Sequence, residues 1–172
     1  ATYGYVMEAI DACLAGQVDA VATCPANKEA MKSAGIPHPG HTEIFAERTQ
    51  SKRFCMAFFS KTISCSLVTV HAGYTEVPGL LSEERIIDVI ELTRETHEKL
   101  LGKEPSIGIC GLNPHAGENG LFGNGEEERI IMPAIEKTRA KGFNLTGPLP
   151  PDTAFTESMR RQIDAYVCMY HD

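Results

Sequence analysis

Three of the six histidines lie where a predicted strand has just ended. His71 and His171 each follow an apolar, strand-like run directly, and His115 lies shortly after another one. Ligands of open α/β sheets bind outside the carboxyl ends of the strands, so we expect these imidazoles at one edge of the sheet. Three neutral imidazoles with open positions for water or substrate are the arrangement that a Lewis-acid metal requires. Each histidine taken alone is more often a hydrogen-bonded loop residue, so the spacing suggests a metal site without establishing one.

A fourth candidate region is the segment GHTE, which contains His41 and Thr42. These two residues are compatible with a plain helix start near the N-cap. They are also compatible with a substrate contact, because a helix N-terminus preceded by glycine presents free amides to an anionic group. Of the remaining histidines, His38 in a proline-rich loop and His97 on the polar side of a predicted long helix are expected at the surface.

The glycine-rich segment AGENGLFGNG follows His115 and leads into a helix. It contains neither the GxGxxG dinucleotide fingerprint nor the Walker phosphate loop, so we interpret it as a flexible loop, with phosphate wrapping as the alternative. No GxSxG nucleophile motif is present. The six cysteines are scattered without metal-ligand spacing, and we interpret them as buried reduced thiols.

The composition favours a globular protein with a small-molecule partner. With 172 residues and 42% hydrophobic content, the chain suits one domain. Its formal net charge of -7, with no run of Lys or Arg, argues against binding to nucleic acid or to an anionic membrane. The sequence has no apolar stretch of the roughly 20 residues that a membrane span needs, and its N-terminus lacks the features of a secretion signal. We therefore expect a cytoplasmic location.

Helical and strand patterns alternate along the chain. In the first half they predict a helix over 6–14 that ends near Gly16, a strand at VDAVAT, a helix from Asn27 to Ala34, and two neighbouring buried strands in RFCMAFFS and ISCSLVTV. In the second half they predict a helix from Ser82 to Gly102, a strand at SIGICG, a helix interrupted at Pro133, a loop at GPLPPDTAF, a helix over 157–162 and a strand at DAYVCMY. This alternation indicates an α/β fold with a largely parallel sheet and helices on both faces. Because the chain begins in a helix and ends on a strand, we expect it to be incomplete at both ends.

The sequence resembles a known family in a series of long motifs. GHTE, GLNPHAGE, EE leading to IIMPAI, GPLPPDTAF and MYHD occur in the order and approximate spacing of the 4-hydroxythreonine-4-phosphate dehydrogenase family of pyridoxal phosphate biosynthesis. The resemblance covers essentially all 172 residues. It implies an isocitrate- or isopropylmalate-dehydrogenase-like fold and a homodimer with its active site at the subunit interface. It also implies metal-dependent, NAD(P)-linked oxidation of 4-phosphohydroxy-L-threonine.

The resemblance assigns roles to individual positions. His71, His115 and His171 match the three metal ligands of the family, and His41 and Thr42 match its substrate-contacting pair. Zinc suits three nitrogen ligands best, while magnesium, manganese and cobalt stay open. The choice between NAD and NADP also stays open. The general base is unassigned.

The sequence departs from the biosynthetic pattern in two segments, VHAGYTEVP and GENGLFGNGEEE. Both resemble the branch of the family that oxidises D-threonate or D-erythronate 4-phosphate, so this activity is the alternative. Members of the family are about twice as long. We therefore interpret residues 1–172 as a single α/β fragment of a longer two-subdomain dehydrogenase, and we expect the fragment alone to be inactive.

The expected chemistry follows from the metal. An ion that coordinates the substrate hydroxyl favours its alkoxide while hydride leaves for the nicotinamide, and the resulting β-keto acid then loses carbon dioxide. Asp172 and Asp152 are candidates to orient an imidazole, although Asp152 is equally compatible with a turn or an N-cap. Two further classes stay open: a phosphate acyltransferase on a related fold, and a non-catalytic metal-stabilised or dimerising module.

Overall fold

Three helices form the first of two units into which the chain folds, Ala1–Phe54 and Cys55–Asp172. The structure is a computed structural model that describes residues 2–38 and 40–171. The helices of the first unit are α1 (Thr2–Leu14), α2 (Lys28–Ser33) and α3 (His41–Arg48). Their apolar faces share a small core that contains Val6, Ile10, Met31 and Ile44.

The expected end of α1 near Gly16 and the expected start of α2 at Asn27 are confirmed, whereas α1 begins earlier than expected, at Thr2. Gly16 adopts a φ of 69° just beyond α1, and Asn27 caps α2 by accepting a hydrogen bond from the Ala30 amide at 2.9 Å. The strand expected at residues 18–23 is wrong, because this segment is irregular. A strand needs a neighbouring strand to satisfy its backbone, and the described residues of the first unit contain none.

The second unit is built on a five-stranded sheet. The strands are β1 (Met56–Phe59), β2 (Ser64–Leu67), β3 (Ile107–Cys110), β4 (Leu145–Leu149) and β5 (Ala165–Cys168). Their order across the sheet is β1-β2-β5-β3-β4. Only the β1–β2 pair is antiparallel, and the other three pairs are parallel. The largely parallel α/β sheet expected from the sequence is therefore confirmed.

Helices cover both faces of this sheet. The helices of the second unit are α4 (Val77–Leu80), α5 (Glu83–Leu101), α6 (Met132–Arg139), α7 (Pro151–Ala154) and α8 (Glu157–Arg160). A π-helical turn at Glu127–Ile131 precedes α6, so the helix changes type just before Pro133, whose missing N–H breaks the regular ladder. Short 3-10 helices lie at Tyr74–Glu76 and Pro114–Gly117.

The larger core lies between one face of the sheet and the helices α5 and α6. It buries, among others, Ile86, Val89 and Ile90 from α5, Ala134 and Ile135 from α6, and Ile107, Ile109 and Val167 from the sheet. On the opposite face, Ala154 of α7 and Phe155 pack with Cys110 and Tyr166. Alternate side chains of each strand point to opposite faces of the sheet, so packing on both faces fixes the positions of the strand ends.

Two expectations for the second unit need correction. β1 is an edge strand, and Phe58 and Phe59 are exposed rather than buried. The segment GPLPPDTAF is not a loop, because it forms most of β4 and then α7. β4 is also an edge strand, where a proline is tolerated since no outer neighbour needs its missing N–H.

The surface positions expected for two histidines are also wrong. The His97 ring is buried on α5, where Nδ1 lies 2.9 Å from the Thr93 carbonyl and the ring stacks on Phe59. The His38 side chain in the first unit is only 12% exposed and lies 2.9 Å from the Glu47 carboxylate. In the described part of the chain, no helix is both long and apolar enough to cross a membrane.

A matched pair of substitutions on α5 tests the position of the core. Ile90 is fully buried, whereas Leu100 on the same helix is 64% exposed. We expect Ile90→Ala to lower the free energy of unfolding by about 2–5 kcal/mol, because it leaves a cavity in a packed core. Leu100→Ala should change the same quantity by less than about 0.5 kcal/mol in chemical denaturation. Similar losses for both variants would contradict this arrangement.

Candidate functional site at the carboxyl edge of the sheet

The three strands that precede the candidate histidines are adjacent and parallel. β5 lies between β2 and β3, so the carboxyl ends of all three reach the same edge of the sheet. Pairing continues beyond the strands, because the Val68 and Thr69 amides donate to the Cys168 and Met169 carbonyls at 2.9 and 3.2 Å. The two chain segments therefore run side by side towards His71 and His171.

The structure brings His71 and His171 together. Their ring centroids are 6.3 Å apart with an interplanar angle of 31°. His71 adopts a φ of 54°, in the left-handed region that few residues other than glycine occupy, and it follows a strand that is paired up to Thr69. Phe58 contacts the His171 ring edge-on at 5.6 Å. Both rings are exposed at the sheet edge, where a ligand can reach them.

His115 lies on the loop that follows β3, in the 3-10 turn Pro114–Gly117. Its Nδ1 is 2.8 Å from a carboxylate oxygen of Glu118, and its side chain is 61% exposed. The hydrogen bond to Glu118 and the charge of that carboxylate raise the pKa of His115, with a smaller contribution from Asp152. A metal binds imidazole in its neutral form, so an ion and a proton would compete for His115.

Within the described part of the chain, three metal ligands are not assembled into one cluster. Among the described residues, no group of three or more His, Cys, Asp or Glu side chains is arranged to hold a metal ion. The paired imidazoles of His71 and His171 supply two nitrogen donors of the type that zinc and similar ions accept, so they fit a metal in part. The assignment of His115 as the third ligand stays a prediction.

A cavity of about 410 Å³ opens beside the histidine pair. The cavity is lined by Thr69, Val70, His71, Ala72, Tyr74, Val77, Tyr170 and His171. Tyr74 and Tyr170 form an aromatic wall with ring centroids 5.7 Å apart. A Glu76 carboxylate oxygen fixes the turn that carries Tyr74 by accepting the Gly73 amide at 2.8 Å. The described lining contains no Asp, Glu, Lys or Arg side chain, so its polar groups are imidazoles and hydroxyls.

A second, apolar cavity of about 290 Å³ shares Tyr170 and His171 with the first. Its other lining residues include Phe58, Phe155 and the thiols of Cys65, Cys110 and Cys168. Hydrogen bonding between these thiols, together with burial, holds the pKa of Cys65 and Cys168 well above the ordinary range. All six cysteines are free, as expected, but only Cys110 is buried, because Cys24 is exposed and the other four are partly exposed.

The glycine-rich loop after His115 has a defined conformation, held by two carboxylates. Glu126 and Glu127 are buried at the start of the following helix, and both accept hydrogen bonds from the Asn113 side chain. The sequence motifs include this acidic doublet, but sequence reasoning gave it no role. The position of this doublet directly after a glycine-rich loop is the sequence feature that could have indicated its role.

The remaining candidates lie in different places. In the first unit, His41 is the first residue of α3, as the helix-start interpretation expects, and its Nε2 is buried without a hydrogen-bond partner in the described structure. Thr42 follows it, half-buried. In the second unit, Asp152 lies in the first turn of α7, in agreement with the turn or helix-start alternative. Asp172 lies outside the described residues.

Together, the parallel sheet and the histidine pair at its carboxyl edge define an α/β protein with a candidate metal-binding site. The whole chain, residues 1–172, matches the family described as pyridoxal phosphate biosynthetic protein PdxA. The chain belongs to this family.

Relatives and solved structures agree with this family. The chain is 47% identical over 170 residues to a 4-hydroxythreonine-4-phosphate dehydrogenase of Desulfosudis oleivorans, covering 98% of the chain and 50% of the relative. It is 43% identical over 171 residues to a D-threonate 4-phosphate dehydrogenase of Salmonella typhimurium, covering 99% and 52%. A crystal structure of the 4-hydroxythreonine-4-phosphate dehydrogenase of Klebsiella pneumoniae matches with a TM-score of 0.89 and 40% identity, covering 99% and 51%. The chain thus spans about half the length of the relatives it matches.

The tight packing of the His115 loop is open to a direct test. A Cβ atom at Gly111 would lie 2.8 Å from the Ala116 Cα atom, whereas a Cβ at Gly79 would meet nothing within 4 Å. We expect Gly111→Ala to destabilise the protein by about 1–3 kcal/mol, because backbone has to move. Gly79→Ala is the control; because Gly79 lies in α4 with free space around it, alanine should be neutral or stabilising by up to about 1 kcal/mol in the same denaturation experiment. An unaffected Gly111→Ala variant would show that the loop does not pack in this way.

Proposed function

We propose that the full-length protein is a metal-dependent, NAD(P)-linked dehydrogenase that oxidises and decarboxylates a phosphorylated four-carbon hydroxy acid. The observation that carries the proposal is the pairing of His71 and His171 beside a substrate-sized cavity in a chain of the PdxA family. 4-Phosphohydroxy-L-threonine is the first candidate substrate, as for the relative of Desulfosudis oleivorans. Since the chain spans only half of such relatives, the fragment alone is expected to be inactive.

In this proposal, His71, His115 and His171 hold the metal through neutral ring nitrogens. When bound, the ion polarises the substrate oxygen, and NAD or NADP accepts the hydride. Zinc is the ion that suits three imidazoles best. His41 and Thr42, at the N-terminus of α3, contact the substrate, and the unpartnered buried Nε2 of His41 supports this role. A cytoplasmic location stays part of the proposal.

A homodimer with a shared metal centre accounts for the separation of the ligands. His71 and His171 lie side by side in one chain, whereas His115 does not join them in a group of three. The His115 side chain is also exposed, so it is accessible to a second subunit. We therefore propose that the histidine pair of one subunit and His115 of the partner subunit complete each site.

Complementation between inactive subunits tests this arrangement. His115→Ala and His171→Ala should each abolish activity in the full-length homodimer, while changing the unfolding midpoint little. If the sites are shared, each mixed dimer of the two variants contains one intact site out of two. At equal mixing half of the dimers are mixed, so the mixture should recover about a quarter of wild-type activity.

Mixing His71→Ala with His171→Ala is the control, because both residues come from the same subunit and every mixed site lacks one of them. Recovery in this control, or no recovery in the first mixture despite subunit exchange, would rule out the shared arrangement. Activity of the His115→Ala homodimer comparable with the wild type would remove His115 from the ligand set.

One structural observation favours the second candidate function, oxidation of D-threonate or D-erythronate 4-phosphate. The described lining of the 410 Å³ cavity has no carboxylate to pair with the ammonium group of 4-phosphohydroxythreonine. A sugar acid carries a hydroxyl group at that position, and the hydroxyls of Tyr74 and Tyr170 can hydrogen-bond to it. The relative of Salmonella typhimurium is named for D-threonate 4-phosphate.

A side-by-side assay of the full-length enzyme decides between the substrates. If the second candidate function is correct, kcat/KM for D-threonate 4-phosphate or D-erythronate 4-phosphate should exceed that for 4-phosphohydroxythreonine by about 10-fold or more, because an unpaired ammonium is costly to desolvate. Initial rates of NADH and NADPH formation should be recorded for each substrate. A preference for 4-phosphohydroxythreonine would leave the biosynthetic function as the better candidate.

A further inference from the structure

The loop that carries His115 has an unusual backbone. Six successive residues, 115–120, have positive φ angles between 44° and 84°. Four of these residues are not glycine, namely His115, Ala116, Glu118 and Asn119. Each such residue costs about 1–2 kcal/mol in this region, because Cβ approaches the following carbonyl. A run of this kind persists only where the surrounding structure holds it in place.

The side chain at the centre of this loop is Glu127. Glu127 as a whole residue is 1% exposed, and one oxygen of its carboxylate accepts the backbone amides of Leu112 and Asn113 at 2.8 and 2.7 Å. The other oxygen accepts the Asn113 side-chain amide at 2.9 Å. Three hydrogen bonds therefore fix the chain just before Pro114 and His115. No cationic side chain forms an ion pair with Glu127 in the described part of the chain.

The loop is wrapped closely around this carboxylate. A Cβ atom at Gly117 would lie 2.9 Å from one Glu127 oxygen, and a Cβ atom at Gly111 would lie 3.2 Å from the other. Gly117 also has a φ of 78°, which glycine adopts without strain. The two glycines on either side of His115 thus leave the space that Glu127 fills.

Glu126 supports the far end of the same loop. Its Oε2 accepts the Asn124 backbone amide at 2.8 Å and the Asn113 side-chain amide at 3.0 Å. Burial raises the pKa of Glu126, but hydrogen bonds from the Asn124 and Glu126 amides and from the Asn113 side chain outweigh it, so the pKa is lower than usual. Asn113 therefore bridges two carboxylates and links both ends of the loop.

We propose that Glu127 is the positioning residue for His115, and that its buried carboxylate holds the strained loop in the conformation that presents this imidazole to the metal. The inference rests on the proposed function, because it assigns His115 to the metal site. Glu127 itself touches neither metal nor substrate. It acts through the backbone of Leu112 and Asn113, as groups behind a metal ligand commonly do.

The test compares Glu127→Gln with Glu128→Gln in the full-length homodimer. In the first variant the glutamine side chain has nearly the same shape as glutamate but directs an NH₂ group at the Asn113 NH₂ group, so one hydrogen bond is replaced by a repulsive contact. Glu128 is the adjacent, exposed residue and serves as the matched control. We expect Glu127→Gln to weaken zinc binding by about 10- to 100-fold in chelator competition, with no change for Glu128→Gln.

Cobalt substitution adds a measurement that would not change if Glu127 only stabilised the fold. The visible absorption of bound Co²⁺ depends on the number and geometry of its ligands, so Glu127→Gln should shift the spectrum towards that of His115→Ala. The metal-free unfolding midpoint is measured alongside. If Glu127→Gln does not fold, Asn113→Ala removes only the side-chain hydrogen bonds and should shift zinc affinity in the same direction by about threefold or more.

The outcomes separate the two proposals. If His115→Ala weakens zinc binding and Glu127→Gln leaves both affinity and spectrum at wild-type values, the positioning role is overturned and the metal site stands. If His115→Ala itself leaves zinc affinity unchanged, His115 is not a ligand, and the ligand set falls together with the role of Glu127.

Discussion

The parallel alignment of β2, β5 and β3 is the constraint on which the candidate site depends. Parallel neighbours send their carboxyl ends to one edge, so residues about a hundred positions apart in sequence become neighbours there. The pairing continues past β2 and β5, where the Thr69 hydroxyl donates to the Met169 carbonyl at 2.8 Å. The closeness of His71 and His171 is a consequence of strand pairing. It needs no special contact between the rings themselves.

The position of the third histidine, His115, depends on a different structural feature. The loop after β3 leaves the sheet through Gly111 and passes through left-handed backbone, which is unfavourable for His115 and Ala116. Buried carboxylates at the start of the next helix compensate by accepting amide hydrogen bonds. Such a loop holds an imidazole outward, away from its own core, with its ring against Phe122 and its Nδ1 near Glu118. The exposed position of the ring is compatible with the proposal that His115 completes a metal site in a second subunit.

Much of this arrangement was predictable, and the failures have physical causes. The strand ends next to His71 and His171 follow from apolar, β-branched runs, and Ser82 marks the start of α5 by capping it. β4 was missed because Pro148 normally excludes a strand, and only its edge position removes that objection. The strand expected at residues 18–23 does not form, because β-propensity alone cannot supply the neighbouring strand with which it would pair. The role of Glu127 depends on burial and loop geometry, which local patterns do not reveal.

The central claim is that His71, His171 and His115 together bind one divalent ion. It is tested most directly by a crystal structure of the full-length protein grown with zinc, with the ion located by its anomalous scattering. We expect one zinc per subunit with a nitrogen of each of the three rings about 2.0–2.1 Å away, the His115 ring coming from the partner. An ion bound at other side chains, or an ordered site in which the three rings remain apart with zinc in excess, would contradict the claim.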